Sequence, residues 1–204
     1  GIYELGPEEN WEIEIPHLGA NFWQDWERPI HVEFFEDDGS QHFELDCGVK
    51  IFGNYSRSNP KKSLSLHFRG EYGASKLNYP LYPDYPGLKS FDEIILRGSG
   101  GDESYLHFRD GFHAELATDL EFEKQKYRPS VLFINGEYWG IHNIREKSNQ
   151  DYFKENYNIE KDDIDLNVAF FTKREGPTAD YFVDFHEQVG NDELTYQEIS
   201  EVLD

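Results

Sequence analysis

The stretch from Val131 to Ile141, VLFINGEYWGI, decides the fold class of this chain. Two segments rich in apolar residues flank the dipeptide Asn135-Gly136. Asn-Gly suits a tight two-residue turn, because both central residues of that turn adopt positive φ. The stretch therefore predicts an antiparallel β-hairpin, and hence a sheet in which consecutive strands pair.

Further strands are predicted upstream of this hairpin. Ile30–Phe35 and Phe43–Ile51 flank an Asp38-Gly39 turn and form a second predicted hairpin. Lys62–Phe68 alternates with a period of two, and Phe91–Arg97 contains the apolar run of a buried strand. Strands therefore dominate the first two thirds of the sequence.

Helical patterns begin in the middle of the chain. Apolar residues from Leu106 to Leu120 recur on one helical stripe. Acidic helical patterns follow over Ser148–Tyr157, over Thr178–Val189 and from Thr195 onward. We therefore predict an α+β fold, in which a mostly antiparallel sheet with one packed helix is followed by a helical region.

Composition limits the function. The 204 residues carry 19 Lys+Arg against 41 Asp+Glu, a formal net charge of −22, which argues against nucleic acid as a partner. No apolar run approaches the ~20 residues that a membrane helix needs. The aromatic content of 16% is too high for a disordered acidic chain. Cys47, the single cysteine, leaves no intrachain disulfide and no thiolate zinc cluster.

One loop combines glycine, hydroxyl groups and positive charge. Gly53–Pro60 leads into Lys61 and Lys62, and such a loop can present N–H groups and a lysine to phosphate. The loop lacks P-loop spacing, and a surface turn with solvated lysines is the simpler interpretation. Strand alternation places Lys62 on the face of Leu64, where an ammonium group needs a carboxylate or a ligand.

A glycine-rich turn, Gly98–Gly101, precedes the helix predicted from Leu106. Four charged residues lie around it: Arg97, Asp102, Arg109 and Asp110. In one interpretation Asp102 caps the helix and Asp110 favours its positive end. In the other, Asp110 or Glu115 pairs with Lys62. The residues alone leave both interpretations open.

Other chemistries have little support. The histidines are scattered without an HExxH motif, no GxSxG is present, and no metal ligands are assigned. Asp162–Asp165 is interpreted as a solvated acidic loop rather than a metal cluster. Exposed rings of Trp11, Trp23 or Trp26 would suit a sugar-binding surface, although aromatic residues at strand spacing usually form core.

Several motifs in order resemble the spore coat protein H (CotH) kinase-like family. They are Trp26–Phe35, Asp38-Gly39, Ser56-Arg57 before Lys61–Leu64, Leu96-Arg97 ahead of Asp102, Arg109-Asp110, Phe133–Ile141 and Arg145–Lys147. The resemblance implies an atypical bacterial protein kinase, secreted or at the cell surface. Such a kinase would use ATP and Mg to phosphorylate Ser or Thr of proteins, such as those of the spore coat.

The resemblance also implies roles for particular residues. Pro29–Phe52 would supply the first strands of a kinase-like N-lobe, Lys62 would contact phosphate, Leu106–Leu120 would be the regulatory helix, and Ile144–Glu146 would form the hinge. The residues expected at the nucleotide are Lys62, Lys61, Arg57, Glu115, Asp110, Arg145 and Glu146. The N-lobe-like region would cover 1–145, and the hinge with the first C-lobe helices 146–204.

The sequence departs from the family pattern after the hinge. No recognisable copy of the catalytic or metal-binding Asp segments occurs before Asp204, and Asp163 and Asp165 follow the hinge too closely to be those residues. We therefore expect a truncated chain that lacks phosphoryl transfer by itself. The alternative is a non-catalytic surface module for adhesion, assembly or glycan binding.

Overall fold

The computed structural model describes residues 1–4, 16–120, 123–168, 172–175, 179–191 and 193–203. The chain divides into two compact units, Gly1–Lys147 and Ser148–Asp204.

A six-stranded antiparallel sheet forms the first unit. Its strands are β1 (Arg28–Phe35), β2 (Gln41–Phe52), β3 (Ser63–His67), β6 (Glu93–Arg97), β7 (Tyr127–Ile134) and β8 (Glu137–Arg145), in the spatial order β1-β2-β3-β6-β8-β7. Two short strands, β4 (Leu77–Asn78) and β5 (Ser90–Phe91), pair separately. Both predicted hairpins are present.

Turn chemistry explains the hairpins. Asn135 and Gly136 have φ of 51° and 80°, the left-handed values that the β7–β8 turn needs. Gly39 has φ of 81° in the β1–β2 turn. A register shift between Leu132 and Phe133 lies opposite Gly140, whose φ of 101° an L side chain rarely adopts.

The two faces of the sheet differ in polarity. Paired residues on neighbouring strands share a face, and one such row is Ile51, Leu64, Leu96, Ile144 and Arg128. This face covers the hydrophobic core, which includes Cys47, Leu66, Phe68, Leu77, Leu81, Tyr82, Phe91 and Ile94. The next row, on the opposite face, is Lys50, Ser65, Ile95, Arg145 and Tyr127. Polar side chains are therefore concentrated on the face away from this core.

The helix of the first unit lies on the polar face and is shorter than predicted. It is α1 (Arg109–Leu116), and Gly111 packs so closely on Tyr127 that an added Cβ would lie 2.3 Å from the ring. His107 has φ of 64°, which a right-handed helix excludes, so the predicted start at Leu106 is wrong. The predicted apolar stripe is exposed along its length, from Leu106 to Leu120.

The second unit contains three helices and a strand pair. These are α2 (Gln150–Tyr157), β9 (Leu166–Val168), β10 (Thr172–Glu175), α3 (Ala179–Gly190) and α4 (Tyr196–Leu203). The Asn149 side chain caps α2 by accepting from the Tyr152 N–H at 3.0 Å. Thr195 and Glu198 form a reciprocal capping box at α4.

The α+β fold class is confirmed. The three helices near Ser148, Thr178 and Thr195 are present within a few residues of their predicted bounds. The β9–β10 pair was not predicted, because its three- and four-residue strands are too short to show periodicity. No helix among the described residues has the length and apolar character needed to cross a membrane.

Candidate functional site

The polar face of the sheet carries a cluster of two arginines and one carboxylate, here called the Arg97–Asp110–Arg145 cluster. Arg97 ends β6, Arg145 ends β8, and Asp110 lies in the first turn of α1. Asp110 Oδ2 lies 2.8 Å from Arg97 Nε and 2.9 Å from Arg145 Nη1. Two positive side chains therefore share one carboxylate oxygen.

The arginines differ in their exposure. The Arg145 side chain is only 7% exposed and also donates to the Gln125 carbonyl, at 3.4 Å. Burial lowers the pKa of Arg145, and the charge of Asp110 counteracts this shift. The Arg97 side chain is 40% exposed. Arg145 is thus fixed inside the fold, whereas Arg97 faces solvent.

The glycine-rich turn Gly98–Gly101 lies beside Arg97. The Gly98 N–H donates to Ser63 Oγ at 2.8 Å, and Ser99 adopts φ of 70°. A Cβ built on Gly100 would lie 3.7 Å from Arg97 Nη2, so the turn runs next to the open end of the guanidinium group. The turn is consequently held by a hydrogen bond at Gly98, and its Gly100 lies close to the exposed Arg97 side chain.

Hydrogen bonds from two neighbours hold the segment after this turn. Ser99 Oγ and Asn143 Nδ2 both donate to the His107 carbonyl, at 2.6 and 2.8 Å. Asp102 accepts from the N–H groups of Leu106 and Arg109, so it caps the start of α1 as one interpretation predicted. Burial acts to raise the pKa of Asp102, but those N–H groups and the charge of Arg109 outweigh it and lower the pKa.

Lys62 is buried, but not against a carboxylate of α1. Its side chain donates to the carbonyls of Arg57 and Asn59, at 2.5 and 2.8 Å, and its Nζ lies 3.8 Å from the centre of the Phe22 ring and 4.9 Å from that of Tyr3. Lys62 is 2% exposed, and burial lowers its pKa to about 8.

Of the two interpretations that the sequence left open, the pairing of Lys62 with Asp110 or Glu115 is therefore not found among the described residues. Asp110 binds the two arginines, and Glu115 is exposed on α1. No sequence pattern indicates that loop carbonyls and aromatic rings surround the ammonium group. The rings of Tyr3 and Phe22 are remote from Lys62 in sequence, whereas the carbonyls of Arg57 and Asn59 belong to the loop that precedes it.

The remaining residues expected at the nucleotide lie in three places. Lys61 Nζ lies 2.9 Å from His107 Nδ1 and donates to the Ile141 carbonyl, so this lysine approaches the glycine-rich turn from the β3 side. Arg57 donates to the Gly53 carbonyl at 2.7 Å and closes its own loop. Glu146 is buried next to Arg145 in the sequence and accepts a hydrogen bond from the Lys126 N–H.

Two residues near the site were not among those expected at the nucleotide. Arg97 was noted beside the glycine-rich turn, and its place directly after a buried strand was the available signal. Glu103 follows the turn, and its charge acts to raise the pKa values of Lys61 and Lys62 against the effect of burial. No sequence pattern links Glu103 to those lysines.

Other candidate groups have weaker geometry. Burial raises the pKa of Cys47 to about 12, so its thiol has little nucleophilic character. His31, Glu33 and Glu44 bring potential ligand atoms within 4.8 Å of one another, but all three are exposed on the β1–β2 hairpin. Trp23 donates to the Pro16 carbonyl, Trp26 is exposed, and Trp11 lies outside the described residues.

The fold and this cluster together define an α+β lobe with a helix-covered polar sheet face. A family model described as CotH kinase protein matches residues 49–202, about three quarters of the chain. The chain therefore belongs to the CotH kinase family, as the motifs predicted. The first of those motifs, Trp26–Phe35, precedes the matched range. A comparison with curated proteins gave no match.

Proposed function

We propose that this chain forms the nucleotide-binding part of an ATP-dependent protein kinase. Family membership supports a kinase-like function. The observation that carries the proposal is the surplus of arginine on the polar face, since Asp110 is shared by Arg97 and Arg145 in a chain of net charge −22. Phosphoryl transfer depends on positive groups that neutralise phosphate charge.

The proposed organisation follows the order of the elements. Residues 1–145 would form the N-lobe-like region, with α1 as the regulatory helix, and residues 146–204 would begin with the hinge. Arg145 and Glu146 would lie between the polar face and the adenine. The antiparallel sheet and the position of α1 on its polar face support this assignment.

The cationic side chains present match the negative charge of a nucleoside triphosphate. Arg97, Arg145 and Lys61 supply cationic donors near one glycine-rich turn. ATP would supply the transferable phosphoryl group, and Mg would neutralise part of the charge of its phosphates. Lys62 and Arg57 would act indirectly in this proposal, because their hydrogen bonds hold loop 53–60.

The proposed substrate is a Ser or Thr side chain of a secreted or cell-surface protein. Bacterial spore coat proteins are the class that the family name suggests. A secreted location for the kinase itself would match that substrate.

Calorimetric titration of the chain tests this function. We expect saturable one-to-one binding of Mg·ATP and competition between adenosine and ATP. Binding of surface glycans without any nucleotide binding would instead support the adhesion alternative. Failure of both ATP and adenosine to bind would overturn the proposal.

A further inference from the structure

Arginine donors in the Arg97–Asp110–Arg145 cluster exceed the acceptors that the described residues provide. Asp110 Oδ2 lies at ion-pair distance from both guanidinium groups but accepts a hydrogen bond only from Arg145 Nη1. Arg97 Nε is buried without a hydrogen-bond partner among the described residues, and no bond from Arg97 Nη1 or Nη2 is found there either. Arg145 Nε is buried without a hydrogen-bond partner in the same part of the chain. An anion could reach only the exposed Nη groups of Arg97, and it would satisfy the donors that the protein leaves open there.

Neighbouring charges are partly engaged elsewhere: the charge of Glu146 acts on Arg145, but Glu146 Oε2 also lies 3.6 Å from Lys126 Nζ. Arg109 is already paired with Asp102, at 3.1 Å. Other arginine pairs in the described residues, such as Arg69–Glu27 and Arg128–Glu36, have their own carboxylates. Within the cluster two guanidinium groups therefore share one carboxylate, and the more exposed of them, Arg97, is available to an anion.

Access to the cluster is from the side of Arg97. Its side chain is 40% exposed, and the turn beside it is built from small residues. No atom lies within 4 Å of a Cβ placed on Gly101. A phosphate group would therefore meet Arg97 at the surface, whereas Arg145 is covered.

We propose that Arg97 is the phosphate-contacting cation of this lobe, and that Asp110 and Arg145 position it. The ligand is the polyphosphate chain of a nucleotide, so the inference rests on the proposed function. The ion pair with Asp110 lies on the Nε side of Arg97 and leaves both Nη groups for a bidentate contact. The α1 helix is thereby coupled to phosphate binding, because Asp110 belongs to its first turn.

This assignment differs from the one expected by resemblance. Lys62 already donates to two carbonyls and has aromatic rings nearby. Its 2% exposure leaves no surface for a phosphate. Arg97 has both the open donors and the exposure that Lys62 lacks.

The test compares three ligands by calorimetry: Mg·ATP, inorganic tripolyphosphate and adenosine. Arg97→Gln is expected to weaken Mg·ATP and tripolyphosphate at least tenfold and to leave adenosine unchanged. Arg97→Lys keeps the charge but loses the two parallel N–H donors of the guanidinium group. Its affinity for Mg·ATP and tripolyphosphate is expected to lie between those of Arg97→Gln and wild type. Arg69→Gln is the matched control, because it removes a 50% exposed arginine from another ion pair.

The outcomes separate the two proposals. Equal tripolyphosphate affinity in wild type and Arg97→Gln overturns the Arg97 assignment, whatever adenosine does. Tripolyphosphate binding that depends on Arg97, without adenosine binding, supports the assignment and contradicts the nucleotide function. No tripolyphosphate binding by wild type overturns the assignment as well. If Arg97→Gln does not fold by circular dichroism, Arg97→Lys decides the same question.

Discussion

Replacing Lys62 with Ala is expected to destabilise the first unit by about 3 kcal/mol. The side chain is 2% exposed and donates to the carbonyls of Arg57 and Asn59. Its ammonium group also lies 3.8 Å from the centre of the Phe22 ring. Alanine removes all of these contacts and the methylene stem together.

The magnitude follows from opposing contributions. Each carbonyl that loses its donor costs ~1 kcal/mol, since both loop residues are half-buried. The lost cation–π contacts cost ~2 kcal/mol, and the four methylenes up to ~3 kcal/mol. Burial lowers the pKa of Lys62 from its ordinary range to about 8, so removing the buried charge returns about 3 kcal/mol. The net loss is about 3 to 4 kcal/mol.

Urea unfolding followed by tryptophan fluorescence measures this loss. A decrease of 3 kcal/mol corresponds to a melting temperature lower by roughly 6 to 12 °C for a unit of this size. Lys89→Ala, at an exposed lysine, is the matched control and is expected to change stability by less than ~0.5 kcal/mol. Lys62→Met, which keeps an apolar stem, is expected to lose less than Lys62→Ala.

Equal unfolding midpoints for Lys62→Ala and Lys89→Ala would refute this reasoning. That result would mean that the Lys62 ammonium group is solvated and that loop 53–60 does not depend on it.

Three further predictions concern pH and packing. Because burial depresses the pKa of Lys62, the unfolded chain binds more protons between about pH 8 and 10.5, so wild type gains stability over Lys62→Met as pH rises through that range. Arg128 lowers the pKa of Glu36. Above about pH 4.3 wild type is therefore expected to be more stable than Glu36→Gln, and this difference disappears as the pH falls through the depressed pKa. Gly111→Ala is expected to destabilise by ~1 to 3 kcal/mol, because its Cβ would meet the Tyr127 ring at 2.3 Å. Paired urea titrations measure all three.

Each of these predictions has a distinct contrary result. The first prediction would be contradicted if the difference in stability between wild type and Lys62→Met stayed constant from pH 7 to 10. The second would be contradicted if wild type were still more stable than Glu36→Gln at pH 2. Gly190→Ala is the control for the third, since an added Cβ there meets no atom within 4 Å and alanine favours the helix. Equal effects at Gly111 and Gly190 would show that α1 does not pack closely on β7.

Local patterns were sufficient to predict most of the fold. Asn135-Gly136 and Asp38-Gly39 fixed two hairpins, and the period of two in Lys62–Phe68 located β3. The start of α1 was mispredicted because apolar spacing does not reveal the left-handed His107. Hydrogen bonds to the His107 carbonyl from Ser99 and Asn143 hold that segment, and Asn143 is 36 residues away.

The candidate site was only partly predictable. Asp110 and Arg145 were expected near the nucleotide, and the structure brings them together with Arg97. The sequence could not show that Arg97 shares Asp110, because 13 positions and a change of element separate them. It also left the partner of Lys62 open between interpretations, neither of which named Tyr3 and Phe22 from the start of the chain.

By itself, the sequence determined the fold class, the strand order along the chain and the CotH kinase family, because these depend on periodicity, turn residues and local motifs. Only the tertiary structure decided which cations are enclosed and which are exposed. The residue type determines whether a side chain carries a charge, but its partners and exposure depend on contacts between distant segments. Lys62 is therefore enclosed by its own loop and two rings, whereas Arg97 remains open beside the glycine-rich turn.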